Sequence, residues 1–222
     1  MANGGVASPT DPVNFLGYSR AELTAAVEEA EIARTYVTGH LYTAESIMRA
    51  VECGVSCVEH ANLVDRPAAE LIAERGAVAV PTLIIFDSLK AEGAELGLPP
   101  ASVAKIDDVR LAGPDALQTL KNAGVTMGYG TDLLGPPQIP VRRVPAARQG
   151  AAEPRGHPLR HARRRRVLRM EGRIGCIAPG AHADMIVVDG DPLKDLTLLT
   201  GQGRHMPLIM QGGVFVKNQM NL

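Results

Sequence analysis

From Tyr18 to Asp132 one unit recurs: a capped amphipathic helix, a stop, then a short apolar run rich in β-branched residues. In "YSRAELTAAVEEAEIAR" (18–34), Ser19 stands three residues before Glu22 as a capping box, and Leu23, Ala26, Val27 and Ala30 share one face. "TYVTGH" (35–40) follows as a strand. "TAESIMRAVECG" (43–54) reads as a helix capped by Thr43 and stopped by Gly54, and "VSCVEH" (55–60) as the next strand. "DRPAAELIAERG" (65–76) repeats the helix, with Asp65 as cap, Pro67 in the first turn and Gly76 as stop. "AVAVPTLII" (77–85) is predicted as a strand. A longer helical stretch, clearest at "GPDALQTLKNAG" (113–124), then leads into the strand "VTMGYGTDLL" (125–134). Strict alternation with near-continuous apolar strands predicts an α/β fold whose parallel sheet is covered by helices.

The polar residues that close these strands are His40, His60 and Asp132. A (β/α)₈ barrel places its active site at the C-terminal rim of its strands. A doubly wound sheet also binds ligands there, but usually with a glycine-rich phosphate loop, and "GYGTDL" lacks the G-x-G-x-x-G spacing. Two imidazoles and a carboxylate on one rim suit a divalent metal such as zinc, which lowers the pKa of bound water to about 7. A carboxylate beside that water can take its proton and pass it to a leaving nitrogen. The competing reading is structural: histidines satisfied within the packing, and Asp132 as a helix cap.

Composition narrows the class. The 222 residues are 45% hydrophobic with a formal net charge of −1, enough apolar mass for one medium domain or two small ones. No stretch approaches the ~20 apolar residues of a membrane helix, and "MANGGVASPTDP" lacks the basic and apolar regions of a signal peptide. Cys53, Cys57 and Cys176 form no disulfide framework, with Cys53 expected at a helix end and Cys57 inside a strand. These features together predict a cytoplasmic protein. Beyond Met170 the texture changes to short strands broken by Pro-Gly and Asp-Gly-Asp-Pro turns. "LIMQGGVFVKN" (208–218) reads as a hairpin bending at Gly212-Gly213, so a small β module is expected.

In order, "VTGH", "VEHAN", "GYGTDLL" and "GRIGCIAPGAHADMIVVDGDPL…LIMQGGVFVKN" resemble the amidohydrolase superfamily, in its imidazolonepropionase-like and Xaa-Pro dipeptidase-like branch. The opening "MANGGVASPTDP" is similar to that branch's loop after barrel strand 4. The resemblance covers residues 1–135 and 167–222. It implies the C-terminal half of a (β/α)₈ TIM-type barrel (1–135), then an Arg/Pro-rich irregular segment (136–166). After these come the barrel end and a small β-sandwich module (167–222). It also implies a metal-dependent hydrolase of amide or peptide C–N bonds, acting on dipeptide-like or N-acyl-amino-acid substrates. His40 and His60 match the strand-5 and strand-6 metal ligands; Asp132 matches the strand-8 aspartate that touches the metal and acts as general base. Tyr42 is either a substrate contact or a ring covering the barrel top.

The chain departs from that pattern twice. The family's strand-1 His-x-His pair and strand-4 bridging lysine, which complete a binuclear metal site, are absent; the nearest histidines, His157 and His161, lie in the arginine-rich stretch. A truncated chain is expected, and its half barrel would have two open edges that invite pairing into a homo-oligomer. The second departure is residues 136–166, where prolines at 136, 137, 140, 145, 154 and 158 preclude a continuous helix. Between Pro136 and Met170 stand ten arginines and one acid, Glu153, which suggests compensating frameshifts. Nucleic-acid binding by "RHARRRRVLR" is disfavoured, because no aromatic side chain interleaves the charge. A non-catalytic fragment that binds metal weakly or not at all is the alternative to turnover.

Overall fold

The computed structural model describes residues 1–133, 167–199, 201 and 203–220. The chain divides into two compact units, residues 1–144 and 145–222. The Arg/Pro-rich segment, with the frameshift expectation attached to it, lies outside the described residues, as do His157 and His161.

The first unit carries a four-stranded, all-parallel sheet in the order β1-β2-β3-β4: Thr38–Thr43, Cys57–Leu63, Val78–Val80 and Thr126–Met127. Helices α1 (Arg20–Ile32), α2 (Ala44–Glu52), α3 (Arg66–Glu74), α4 (Leu83–Glu92), α5 (Pro100–Arg110) and α6 (Gly113–Asn122) alternate with the strands or join them. Three predicted caps form as written. Ser19 and Glu22 close a reciprocal capping box, Thr43 accepts from the Ser46 N–H, and Asp65 accepts from the Ala68 N–H. The core lies where the helices cover the sheet. Leu41, Val58 and Ala79 meet Ile47 and Val51 of α2, Ala69 and Ile72 of α3, and Leu120 of α6. Among the described residues no helix is long and apolar enough to cross a membrane.

The strands start later than expected, for a reason that recurs. Arg34, Gly54, Gly76 and Gly124 each adopt positive φ. The residue after each donates its N–H five residues back: Thr35 to Ala30, Val55 to Ala50, Ala77 to Ile72 and Val125 to Leu120. The first residue of each of these predicted strands therefore finishes the preceding helix. β1 and β2 also run past His40 and His60, which stand inside the strands rather than at their ends. The predicted strand 77–85 is corrected more sharply: β3 holds three residues, and Leu83 begins α4. Pro81 has no N–H for a ladder, and a short apolar run does not tell a buried strand from a buried helix.

Residues 1–17 form an ordered loop beside β1. Asn3 is 2% exposed. Its Oδ1 accepts from the Tyr42 and Thr43 N–H groups and the Ser46 hydroxyl, while Nδ2 donates to the Val13 and Phe15 carbonyls. Lys105 of α5 donates to the carbonyls of Gly5, Ser8 and Asp11.

The second unit holds an antiparallel sheet, β5-β6-β7: Met185–Val187, Leu208–Gln211 and Val214–Asn218. The predicted hairpin forms with Gly212 and Gly213 both at positive φ, as a two-residue type I′ turn requires. The Asp184 carboxylate accepts from the Gly212 N–H at 2.7 Å. Among the described residues this unit shows one sheet, without the second layer of a sandwich. All three cysteines are free; Cys53 caps the end of α2 and Cys57 opens β2.

Candidate active site

Strand geometry alone would not bring the two histidines together. In the ladder His40 pairs with Glu59, and His60 pairs with Leu41. Side chains alternate between faces along a strand, so a regular His60 would share the helix-side face with Val58 and Leu41, both in the core. The backbone prevents this. His60 has φ 75° and Ala61 φ 54°, and the β1–β2 register shifts between Leu41 and Thr43. Left-handed conformations in residues with a Cβ cost about 1–3 kcal/mol each and concentrate at functional sites.

The result is a close pair. His60 Nε2 lies 2.7 Å from His40 Nδ1, and His60 Nδ1 lies 2.6 Å from Thr82 Oγ1. Tyr42 stacks on His60 with ring centroids 5.1 Å apart, and Phe86 meets both rings edge-on. His60 is 5% exposed. Burial pushes it down to about 3, with a smaller contribution from His40. Burial likewise lowers His40 to about 4, against a weaker pull from the backbone of Gly4. Both rings are therefore neutral at pH 7, the state in which imidazole binds a metal. His40 Nε2 is buried without a hydrogen-bond partner.

Asp132 stands on the same rim but apart from the pair. It is exposed and has φ 53°. Its carboxyl is raised above the ordinary range, by its partial burial first and by Glu59 second. Its charge in turn reaches Tyr42, whose hydroxyl is raised by burial, then by Asp132. Leu133 anchors this segment by packing against the cluster that holds Tyr42, Phe86 and Val6. Gly130 allows the passage, because a Cβ there would lie 2.7 Å from Val80 Cγ1. Two neutral imidazole nitrogens face to face are donors zinc accepts. The three-ligand constellation is not assembled: among the described residues, no three His, Cys, Asp or Glu side chains are grouped to hold an ion.

Tyr42 is 2% exposed, its ring enclosed by the two histidines and Phe86. Sequence reasoning missed Thr82, which it placed inside a strand, and Asn3, which no motif marks. Glu59 was also missed. It sits one residue before His60, pairs across the ladder with His40 and accepts from the Thr38 hydroxyl at 2.6 Å; only the strand register, which no motif carries, points to it.

A sequence model of the amidohydrolase family matches residues 1–151. The chain is 48% identical to an amidohydrolase of known crystal structure, with a TM-score of 0.91 over 99% of this chain and 54% of that one. A prolidase solved with N-methylphosphonate-L-proline is 44% identical, with a TM-score of 0.87 over 99% and 54% of the two chains. The ochratoxinase of Aspergillus niger is 30% identical over 98% of this chain and 45% of its own length. The chain thus spans about half the length of the curated relatives it matches.

Proposed function

Given that the chain belongs to the amidohydrolase family, we propose that it carries part of the active site of a metal-dependent hydrolase of amide or peptide C–N bonds. The substrate class we favour is dipeptide-like, with an aminoacyl-proline or N-acyl-amino-acid amide, in keeping with the prolidase among its structural relatives. The observation that carries the reading is the pair of neutral imidazoles facing each other at 2.7 Å from adjacent strands of one sheet.

His40 and His60 are the metal ligands in this reading, and Asp132 is the third group. A divalent metal, zinc being the natural fit to two imidazoles, supplies Lewis acidity and a bound water of lowered pKa. The protein's own contributions are separate from that. The stacked ring of Tyr42 and the edge-on ring of Phe86 shield His60 from water on one side. In this reading Asp132 accepts a proton and returns it to the departing nitrogen, and the raised pKa of its carboxyl supports that role. Residues 1–135 thereby act as the half-barrel portion of the fold, and residues 167–222 as an appended β module.

Asp132 standing outside the histidine pair favours a second reading, in which this chain binds metal through two ligands and does not turn over substrate. Zinc titration of the purified chain, with parallel assays on an X-Pro dipeptide and an N-acyl amino acid, decides. Stoichiometric zinc, lost at least tenfold in affinity in His40→Ala and His60→Ala, supports the site. Hydrolysis abolished by Asp132→Asn supports catalysis, and zinc uptake without hydrolysis supports the second reading. A chain that takes up no zinc sinks the metal site and leaves a non-catalytic fragment of the fold.

A further inference from the structure

Helices α1, α2 and α3 begin with a Ser, Thr or Asp whose side chain caps the first turn. Thr82, at the N-cap position just before α4, is a residue type suited to the same task, and its side chain makes no cap hydrogen bond. The hydroxyl is used elsewhere, 2.6 Å from His60 Nδ1. Thr82 is 3% exposed and His60 5%, so neither polar group has water to fall back on.

His60 Nε2 and His40 Nδ1 face each other at 2.7 Å, a hydrogen bond in which one nitrogen donates and the other accepts. The partner of His60 Nδ1 decides which tautomer His60 adopts. A carboxylate or a backbone carbonyl there would impose one answer; a hydroxyl both donates and accepts. We propose that Thr82 is the positioning residue of this site. It fixes the ring of His60 with Nε2 toward His40, and its hydroxyl accepts from Nδ1–H when Nε2 gives its lone pair to a metal. The metal step rests on the function proposed above; the orientation of the ring does not.

Thr82→Val keeps the shape and removes the hydroxyl, while Thr82→Ser keeps the hydroxyl and removes the methyl. In metal-free protein with ¹⁵N-labelled histidine, the two ring nitrogens of His60 report tautomer and environment directly. The expected result is that wild type and T82S share one pattern and T82V departs from it. In zinc titrations T82V should bind about 10–100-fold more weakly, and T82S within a few-fold of wild type, as for other groups that orient a metal-bound histidine. T82A serves as a second hydroxyl-free variant if T82V does not fold. Wild-type ring signals in T82V would overturn the proposal, as would T82S failing alongside T82V. A wild-type chain that binds no zinc would remove the metal reading and leave the ring signals to decide the role of Thr82.

Discussion

The two sheets of this chain use similar residues in opposite ways. The parallel sheet buries what it carries: in β2, five of seven residues are buried and the other two are half-buried. In the antiparallel sheet, Met185, Ile186, Val187, Val214, Phe215 and Val216 are all exposed, and Leu208 is the one buried apolar side chain among the unit's described residues. Both segments have strand-forming sequences. What separates them is the helices packed on the first sheet, since burial of apolar area is what stabilises a fold. It also explains why strained, desolvated groups such as His60 sit where they do. A left-handed backbone and two neutral buried rings persist only where surrounding packing over-determines them.

The strongest way to break the contrast is to remove packing from the first sheet's covered side. Ile47 of α2 is fully buried in the main core. Ile47→Ala is expected to lower stability by about 2–5 kcal/mol, through lost transfer energy and the cavity left behind. Denaturant unfolding measures this, and hydrogen exchange locates it. Amides of β1 and β2 should lose protection, while those of β6 and β7 change little. A loss below about 1 kcal/mol would mean that the helix-side core is not packed as described.

Acid attacks the same sheet through its rim. His60 and His40 are depressed to about 3 and about 4, below an unfolded value of about 6.5. The unfolded chain therefore binds more protons than the folded one across this range. The stabilisation from keeping the rings neutral is complete above pH 6.5 and is lost as pH falls from there toward 4. Each ring contributes a slope of up to about 1.4 kcal/mol per pH unit. Denaturant midpoints at pH 7, 6 and 5 should fall progressively, and replacing His60 with Phe should flatten the dependence. A midpoint constant between pH 7 and 5 would show that the rings are not held neutral in the fold.

What could be read from the sequence follows the same division between local and non-local causes. Ser19, Thr43 and Asp65 announced their helices, and Gly212-Gly213 announced its hairpin, because caps and turns depend on a few adjacent residues. Strand starts were misjudged because the residue after each left-handed closure belongs to the helix, a geometric fact that apolar character hides. At the site, His40 and His60 were identified from their spacing with the strands. Their meeting depends on positive φ at His60 and Ala61, which no motif encodes. Asp132 follows β4 through five residues, 128–131 and itself, outside regular structure, where spacing says nothing about where a side chain ends. Thr82 was hidden by a helix that reads as a strand.

The smallest expected effect tests the second sheet directly. Val216 of β7 is 65% exposed. Val216→Thr keeps the β-branched shape that suits a strand and adds a hydroxyl. If the face is open to water, the substitution has nothing to disrupt, and stability should stay within about 0.5 kcal/mol of wild type. The measurement is denaturant unfolding at two protein concentrations tenfold apart. A destabilisation above about 1 kcal/mol at both concentrations would mean that the chain covers this face itself. One that appears only at the higher concentration would mean that a second copy covers it, because association stabilises by mass action. In either case the contrast between the sheets would cease to be one of burial. It would become one of how each sheet is covered, the first by its own helices and the second by a surface still to be identified.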